Sequence, residues 1–550
     1  MHRWRIRSRR AAFAAVGSVM TAILVTITPS EAATSASWSM GGQTIQNLRY
    51  QPAETTLSPS TVGSLHSKWV ATMHGDVTAT PAVVNGAVYV PDWGGYMSKL
   101  DAVTGDVLWS VKLDNILPPL TGVLGGGHYV SRTSPAVSGT NVVIGTQSGS
   151  LVVDLDATTG ALKWYSQADP HLDPFTNPFA IVTQSPVVQA GVVYVGVASS
   201  EEGAVAFGWP CCKFRGSESA FDVRTGARLW SVDTIDDASY AAGYRGVGVW
   251  GSTPVVDTKR GSLYITTGND YDAPQSVKVC QSTYVLGTPY HCEDGYPGNH
   301  VDSIMAVDLA TGAIKWSTRL QQYDAWNVAC IFGTTPGNCP DPAGPDYDFG
   351  QGAILINGGK KAGDVLAAGQ KSGFLWGLNP DTGAVRWSYF AGPGSSLGGL
   401  EWGSASDGKR IYYAVVNLEG IPYPLTNPAP GSVTTTHAGL WGAVDAFTGQ
   451  PVWQQADPNG TVDLGPVSVA NGVVYATSFG GHVQGGDSAG KDKFFALDAA
   501  TGAIKWRAGH DNLGSGNGGA SIVDGSIYWG NGYQNQFLGD PDPHLYAFTS

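Results

Sequence analysis

Short apolar runs rich in Val, Ile, Leu and Tyr alternate along this chain with polar turns built from Asp, Asn, Thr and Gly. The clearest unit reads Leu100-Asp101-Ala-Val-Thr104-Gly105-Asp-Val-Leu-Trp109. It is an apolar run, a turn in which Gly supplies a positive φ, and a second run ending in Trp. The unit returns at Leu155 to Trp164, Phe221 to Trp230, Val307 to Trp316, Leu378 to Trp387, Val444 to Trp453 and Leu497 to Trp506. Before each copy lies another pair of β-branched runs, such as Pro81 to Val90, so the repeat predicts a four-stranded antiparallel blade. An eighth copy is split between the ends of the chain: Leu545 to Phe548 reads as the strand before a missing turn, and Leu65 to Trp69 as the strand after it. Pairing those N- and C-terminal strands closes a ring and removes exposed sheet edges. The expected fold is all-β, an eight-bladed β-propeller. Successive motif tryptophans lie 40, 55, 66, 86, 71, 66 and 53 residues apart, which places the insertions in blades three to six. The motif tryptophans themselves read as packing residues between neighbouring blades.

Composition agrees and narrows the partners. Among 550 residues, 74 are Gly and 18 are Trp while only 14% are charged, which excludes a coiled coil, a helical bundle and a disordered chain. The net charge is −13, and −17 once the five arginines and one glutamate of residues 1–32 are set aside. So acidic a surface repels phosphate backbones and argues against nucleic acid as a partner.

Residues 1–32 read as an export signal: Arg3, Arg5, Arg7, Arg9 and Arg10, an apolar stretch from Ala11 to Ile27, then Ser30-Glu31-Ala32 as a cleavage site. The mature chain, 33–550, is expected to be a single extracytoplasmic domain with no stable membrane span, and a closed ring makes monomer the default. Six cysteines in an exported chain allow 15 pairings. Cys280 with Cys292 and Cys330 with Cys339 are the natural local pairs, and Cys211 is adjacent to Cys212. There is no C-x-x-C-H, hence no c-type haem attachment motif, and no Cys or His cluster has zinc spacing.

The Ala-x-Asp-x-x-Thr-Gly-x-x-x-Trp repeat resembles the tryptophan-docking motif of quinoprotein alcohol dehydrogenases, which bind pyrroloquinoline quinone and a metal ion on the axis of an eight-bladed propeller. Stretches between the repeats resemble the polyvinyl-alcohol dehydrogenase branch: Ser131-Arg-Thr-Ser-Pro135, Ser199-Ser-Glu-Glu202, Pro210 to Gly216, Val249-Trp-Gly-Ser-Thr-Pro254, Thr267-Gly-Asn269, Asp324 to Cys330, Ala368 to Gly373 and Leu400-Glu-Trp-Gly403. The resemblance implies oxidation of a secondary alcohol or polymeric 1,3-diol by hydride transfer to the quinone, with electrons leaving to a separate cytochrome c or quinone. The alternative is a non-catalytic propeller scaffold for binding or assembly; a lyase or hydrolase ranks below both.

That chemistry needs a Lewis acid, a base for the hydroxyl proton and a face for the planar cofactor. The resemblance implies Glu201, Asn269, Asp346 and Asp348 as ligands of calcium or a lanthanide, with Glu202 an adjacent alternative to Glu201. It implies Arg132, Ser185, Trp250, Lys371 and Trp402 as cofactor contacts, and a Cys211–Cys212 ring packed on the cofactor. This chain departs from the family at the base: Asn327 follows Trp326 where the alcohol dehydrogenases carry Asp. Asp346, nine residues before Leu355, has the family's spacing to the next strand and is the first choice, with Asp324 second.

Overall fold

Eight blades of four antiparallel strands follow one another in the computed structural model, two of them widened to five strands, by Ala180–Ile181 in the third and by Tyr50–Gln51, which runs parallel to Ser468–Ala470, in the seventh. The residues described are 36–550 apart from 121–126, 172–177, 285–290, 334–336, 484–485, 489–491, 510–513 and 534–538. The expected export segment lies outside them. Blade 1 comprises Ala82–Val84, Ala87–Pro91, Tyr96–Asp101 and Val107–Lys112, and blade 2 Ala136–Ser138, Asn141–Gly145, Leu151–Asp156 and Leu162–Gln167. Blades 3 to 7 repeat the order, each starting from an inner strand: Val187–Gln189, Val255–Asp257, Ile354–Ile356, Ala405–Ser406 and Ser468–Ala470. Blade 8 takes Ala520–Val523, Ser526–Gly530 and His544–Thr549 from the C-terminal end and His66–Thr72 from the N-terminal end. In that shared sheet Trp69 stands opposite Ala547 and Val70 opposite Tyr546. The inner strands touch one another in sequence, and Ala520–Val523 touches both Ser468–Ala470 and Ala82–Val84, so the ring is closed.

The Trp repeat explains how the blades lock. Each motif Trp lies against the turn glycine of the following blade: a Cβ on Gly160 would stand 2.9 Å from Trp109, and one on Gly502 2.4 Å from Trp453. These glycines also hold φ near +70° to +80°, so a side chain there is excluded twice, by space and by backbone. The indole N–H then donates to a backbone carbonyl of that turn, as in Trp109 to Ala157 (3.4 Å), Trp164 to Val223 (2.8 Å) and Trp453 to Ala499 (3.1 Å). At the seam, where the turn is missing, Trp506 donates to the carbonyl of Leu65 at 2.9 Å. Trp387 departs from the pattern, its buried Nε1 having no partner among the described residues.

In an antiparallel blade, the link between strands two and three and the link from the outer strand to the next blade emerge on the same face. The Asp-x-x-Thr-Gly turns occupy the other. Every candidate site residue falls in links of the first kind, and three of these links carry the disulfides Cys211–Cys212, Cys280–Cys292 and Cys330–Cys339, as the sequence suggested. Among the described residues, no helix is long and apolar enough to cross a membrane.

Candidate functional site

Two groups of buried polar side chains meet on this face. The first surrounds Lys371, in the turn between Val365–Gly369 and Phe374–Leu378. Its ammonium lies 3.2 Å from Asp346 Oδ1 and 2.6 Å from Asp348 Oδ1, and 5.2 Å from the centre of the Trp250 ring. Trp250 donates its indole N–H to Asp348 Oδ2 at 2.7 Å. Asp324 accepts the backbone N–H of Asp346 at 2.7 Å and that of Tyr347 at 2.5 Å, so it fixes the loop that presents Asp346. Asp346 takes φ 60°, and nearby Asp302 and Trp402 are also left-handed, at 45° and 54°. Trp is uncommon there, and such conformations persist where surrounding contacts impose them.

Burial and mutual repulsion set the charges. Burial pulls Lys371 down, but Asp346 and Asp348, with Glu401 and Glu202, raise it well above its ordinary value, so it is a cation at neutral pH. Burial raises Asp346 well above the usual carboxylate range; Lys371 opposes this, while Asp348, Glu202 and Asp324 add to it. Asp324 is pushed to about 6 by burial, its two backbone hydrogen bonds holding it lower than it would otherwise be.

The adjacent glutamates part company. Glu201 is fully buried and turned away, its carboxylate accepting the backbone N–H of Lys213 and of Phe214 at 2.9 Å. Glu202 shares the field of Lys371, Asp348 and Asp324, and burial pushes it to about 8. The backbone carbonyl of Glu202 is held by the N–H of Val328 at 3.1 Å. The structure thus brings Glu202, not Glu201, to the acidic group. Asn269 is buried and its Nδ2 donates to the carbonyls of Asp270 (3.2 Å) and Trp326 (2.8 Å). Among those residues no three His, Cys, Asp or Glu side chains converge at metal-ligand distance; the carboxylates are gathered around Lys371 instead.

The second group lines an adjoining cavity: Arg49, Arg132, Ser185, Trp402, Asn517 and Tyr533, with further Ser and Thr side chains. Its collar comes from the residues just before successive inner strands. Thr80 N–H donates to Ser134 Oγ, and Ser134 N–H to Ser185 Oγ, both at 2.9 Å, and Ser185 N–H to the carbonyl of Ser252 at 2.7 Å. The Arg132 guanidinium lies 4.5 Å from the centre of the Trp402 ring, and Trp402 meets Trp250 edge-on with centroids 5.7 Å apart. That indole pair joins the cavity to the acidic group. Glu401, pushed to about 7 by burial against the pull of Lys371, lies within the field of both Lys371 and Arg132.

The Cys211–Cys212 ring is not among the residues lining the cavity. Cys211 Sγ lies 3.7 Å from the carbonyl of Tyr271 and from Asn327 Nδ2, and Cys212 packs in the apolar core of blades 2 to 4. Sequence reasoning missed Arg49, Asn517, Tyr533 and Glu401. Arg49 precedes the first repeat in a stretch with no motif, whereas Glu401 stood beside Trp402 in a stretch already singled out.

The residues fit a planar anionic quinone with a hard cation: two guanidiniums, a hydroxyl collar, paired indoles, and carboxylate and amide oxygens beside them. Buried Nε of Arg49 and Arg132, Nε1 of Trp402 and Oδ1 of Asn517 have no partner among the described residues. Comparison with known proteins decides the family. The family described as glucose/ethanol/alcohol dehydrogenase, β-propeller domain, matches residues 38–330, more than half of the chain. The chain belongs to the pyrroloquinoline-quinone β-propeller family. A second repeat family, described as outer membrane protein assembly factor BamB, matches residues 437–517. Within the quinone family the chain is 27% identical over 534 residues to a polyvinylalcohol dehydrogenase of Pseudomonas sp, covering 92% of this chain and 75% of that protein. It is also 27% identical to that of Sphingopyxis sp. strain 113P3, covering 92% and 74%. The quinohemoprotein alcohol dehydrogenase of Comamonas testosteroni shares the fold, with a TM-score of 0.65 at 19% identity over 94% of this chain and 81% of that one.

Proposed function

We propose that this chain oxidises an alcohol, a secondary alcohol or polymeric 1,3-diol, with pyrroloquinoline quinone as its cofactor. The observation that carries the reading is the Lys371-bridged Asp346 and Asp348, set against Trp250 and next to a cavity lined by two guanidiniums. When bound, the quinone supplies the two-electron acceptor for the hydride lost from the alcohol carbon. Asp346 takes the hydroxyl proton at its carboxylate. Asp324 positions it through the two backbone N–H groups, and the Lys371 ammonium, 3.2 Å from Oδ1, favours the ionised form of Asp346 that can accept the proton. Glu202, Asn269, Asp346 and Asp348 are the residues to hold the metal, calcium or a lanthanide, and all four offer the oxygen donors a hard cation takes. Trp250 and Trp402 give the cofactor aromatic surface, and Arg132, Ser185 and Lys371 polar contacts.

Residues 1–32 direct export and are cleaved, and residues 33–550 act outside the cytoplasm as a monomer, a setting that three disulfides favour. Electrons pass to a separate acceptor such as a cytochrome c or a quinone. Dye-coupled oxidation of butan-2-ol and of polyvinyl alcohol by the purified mature chain, with quinone plus calcium or quinone plus lanthanum, tests the reading. Turnover that requires both quinone and metal supports it. No turnover with any combination leaves a scaffold.

A further inference from the structure

One charged group in the cavity has no part in the reaction proposed above. Arg49 is 2% exposed, and its backbone sits at φ 47°, an uncommon conformation for so long a side chain. Nη1 donates to Thr80 Oγ1 at 3.2 Å and Nη2 to the carbonyl of Trp402 at 3.4 Å, while Nε has no partner. Two glycines leave it room: a Cβ on Gly403 would stand 2.5 Å from Nε, and one on Gly519 3.2 Å from Nη1.

Two part-buried arginines away from this cavity are used differently. Arg260 pairs with Asp257, Asp364 and Asp381, and Arg319 with Glu293 and the carbonyl of Asn299. Arg49 pairs with no carboxylate among the described residues. Burial draws it down to about 10, with no neighbouring acid to oppose it, and it remains a cation at neutral pH. A buried, half-satisfied cation is costly unless an anion joins it. The Arg49 side chain lines the cavity that Arg132, Ser185 and Asn517 also line.

We propose that Arg49 is an anion receptor of this cavity and holds a carboxylate of the bound cofactor. Identifying the anion as a quinone carboxylate rests on the function proposed above; the receptor itself rests on the geometry. A guanidinium serves this role better than an ammonium, because two adjacent N–H groups meet both carboxylate oxygens.

The test compares wild type with Arg49→Met and Arg49→Lys in two measurements. Equilibrium titration with pyrroloquinoline quinone and with its trimethyl ester, followed by absorbance with calcium present, reads the charge preference. Thermal melting of the cofactor-free protein with and without citrate reads the receptor alone. We expect wild type to prefer the acid over the ester at least 10-fold and the preference to collapse in R49M while ester affinity stays level. R49K should retain part of it. Cofactor-free R49M should melt no lower than wild type, and citrate should raise the melting temperature of wild type only. If wild type binds neither quinone form yet citrate stabilises it through Arg49, the receptor stands and the quinone assignment falls. An unchanged acid preference in R49M, or R49M melting lower with no loss of citrate response, overturns the proposal.

Discussion

Replacing Asp346 by Asn separates the two carboxylates that compete for the role of base. The amide keeps the size of the side chain and a partner for Lys371, whose second ion pair, 2.6 Å to Asp348, is untouched. What disappears is the proton acceptor. A positioned general base contributes roughly 10²- to 10⁴-fold, so kcat should fall about 10³-fold, or about 4 kcal/mol of barrier, with KM little changed. Asp324→Asn acts differently. It weakens two hydrogen bonds from backbone N–H groups to a charged acceptor, each contributing about 1.5–3 kcal/mol, and so loosens the loop that presents Asp346. Part of that loss falls on stability, leaving a drop in kcat of about 10-fold to 100-fold. Steady-state dye-coupled kinetics at saturating quinone and metal, with circular dichroism and separate titrations of quinone and metal, reads all of this. If Asp346→Asn kept a tenth or more of wild-type kcat while Asp324→Asn abolished turnover with its fold intact, the assignment of Asp346 would be refuted.

Three further outcomes follow from other parts of the molecule. Glu202→Gln should weaken metal binding about 10-fold to 100-fold by calorimetric titration, whereas Glu201→Gln should leave metal affinity level and lower the melting temperature, because Glu201 serves backbone N–H groups of Lys213 and Phe214. Asp154, buried with Oδ2 unpartnered, is raised to about 7, chiefly by burial. Its folded pKa lies above the unfolded one, so its contribution is present in full below about pH 4 and is lost as pH rises through 7; Asp154→Asn should gain a few kcal/mol at pH 8 relative to wild type and nothing at pH 4, read by denaturant melts. Trp506→Phe removes the hydrogen bond to Leu65 at the seam, about 1 kcal/mol, and in a chain of this length should lower the melting temperature by about one degree.

The ring was legible because its signal is local and repeated. Each Asp-x-x-Thr-Gly turn closes through contacts within five residues, as when Asp156 Oδ1 accepts the N–H of Thr158 and of Thr159, and the seam followed from two half-copies at the ends. Trp250 and Lys371 stood in stretches resembling a known family, and Asp346 was singled out by its spacing to the next strand; the structure brings these three and Asp348 together. What sequence could not decide is which of two adjacent glutamates faces the acidic group. Glu201 and Glu202 open a single four-residue helical turn, Glu201–Ala204, and its facing depends on distant partners, Val328 and the amides after the Cys211–Cys212 ring. Arg49 was invisible for a related reason: its environment is assembled by Thr80, Trp402 and Gly519, drawn from opposite ends of the chain.

The most direct measurement is an absorbance titration of purified residues 33–550 with pyrroloquinoline quinone, alone and with calcium or lanthanum. The account predicts saturation at one quinone per chain, dependent on metal, with affinity reduced at least 10-fold in Glu202→Gln and Asn269→Ala. Absence of saturable binding with either metal, or binding indifferent to metal and to both substitutions, would contradict it.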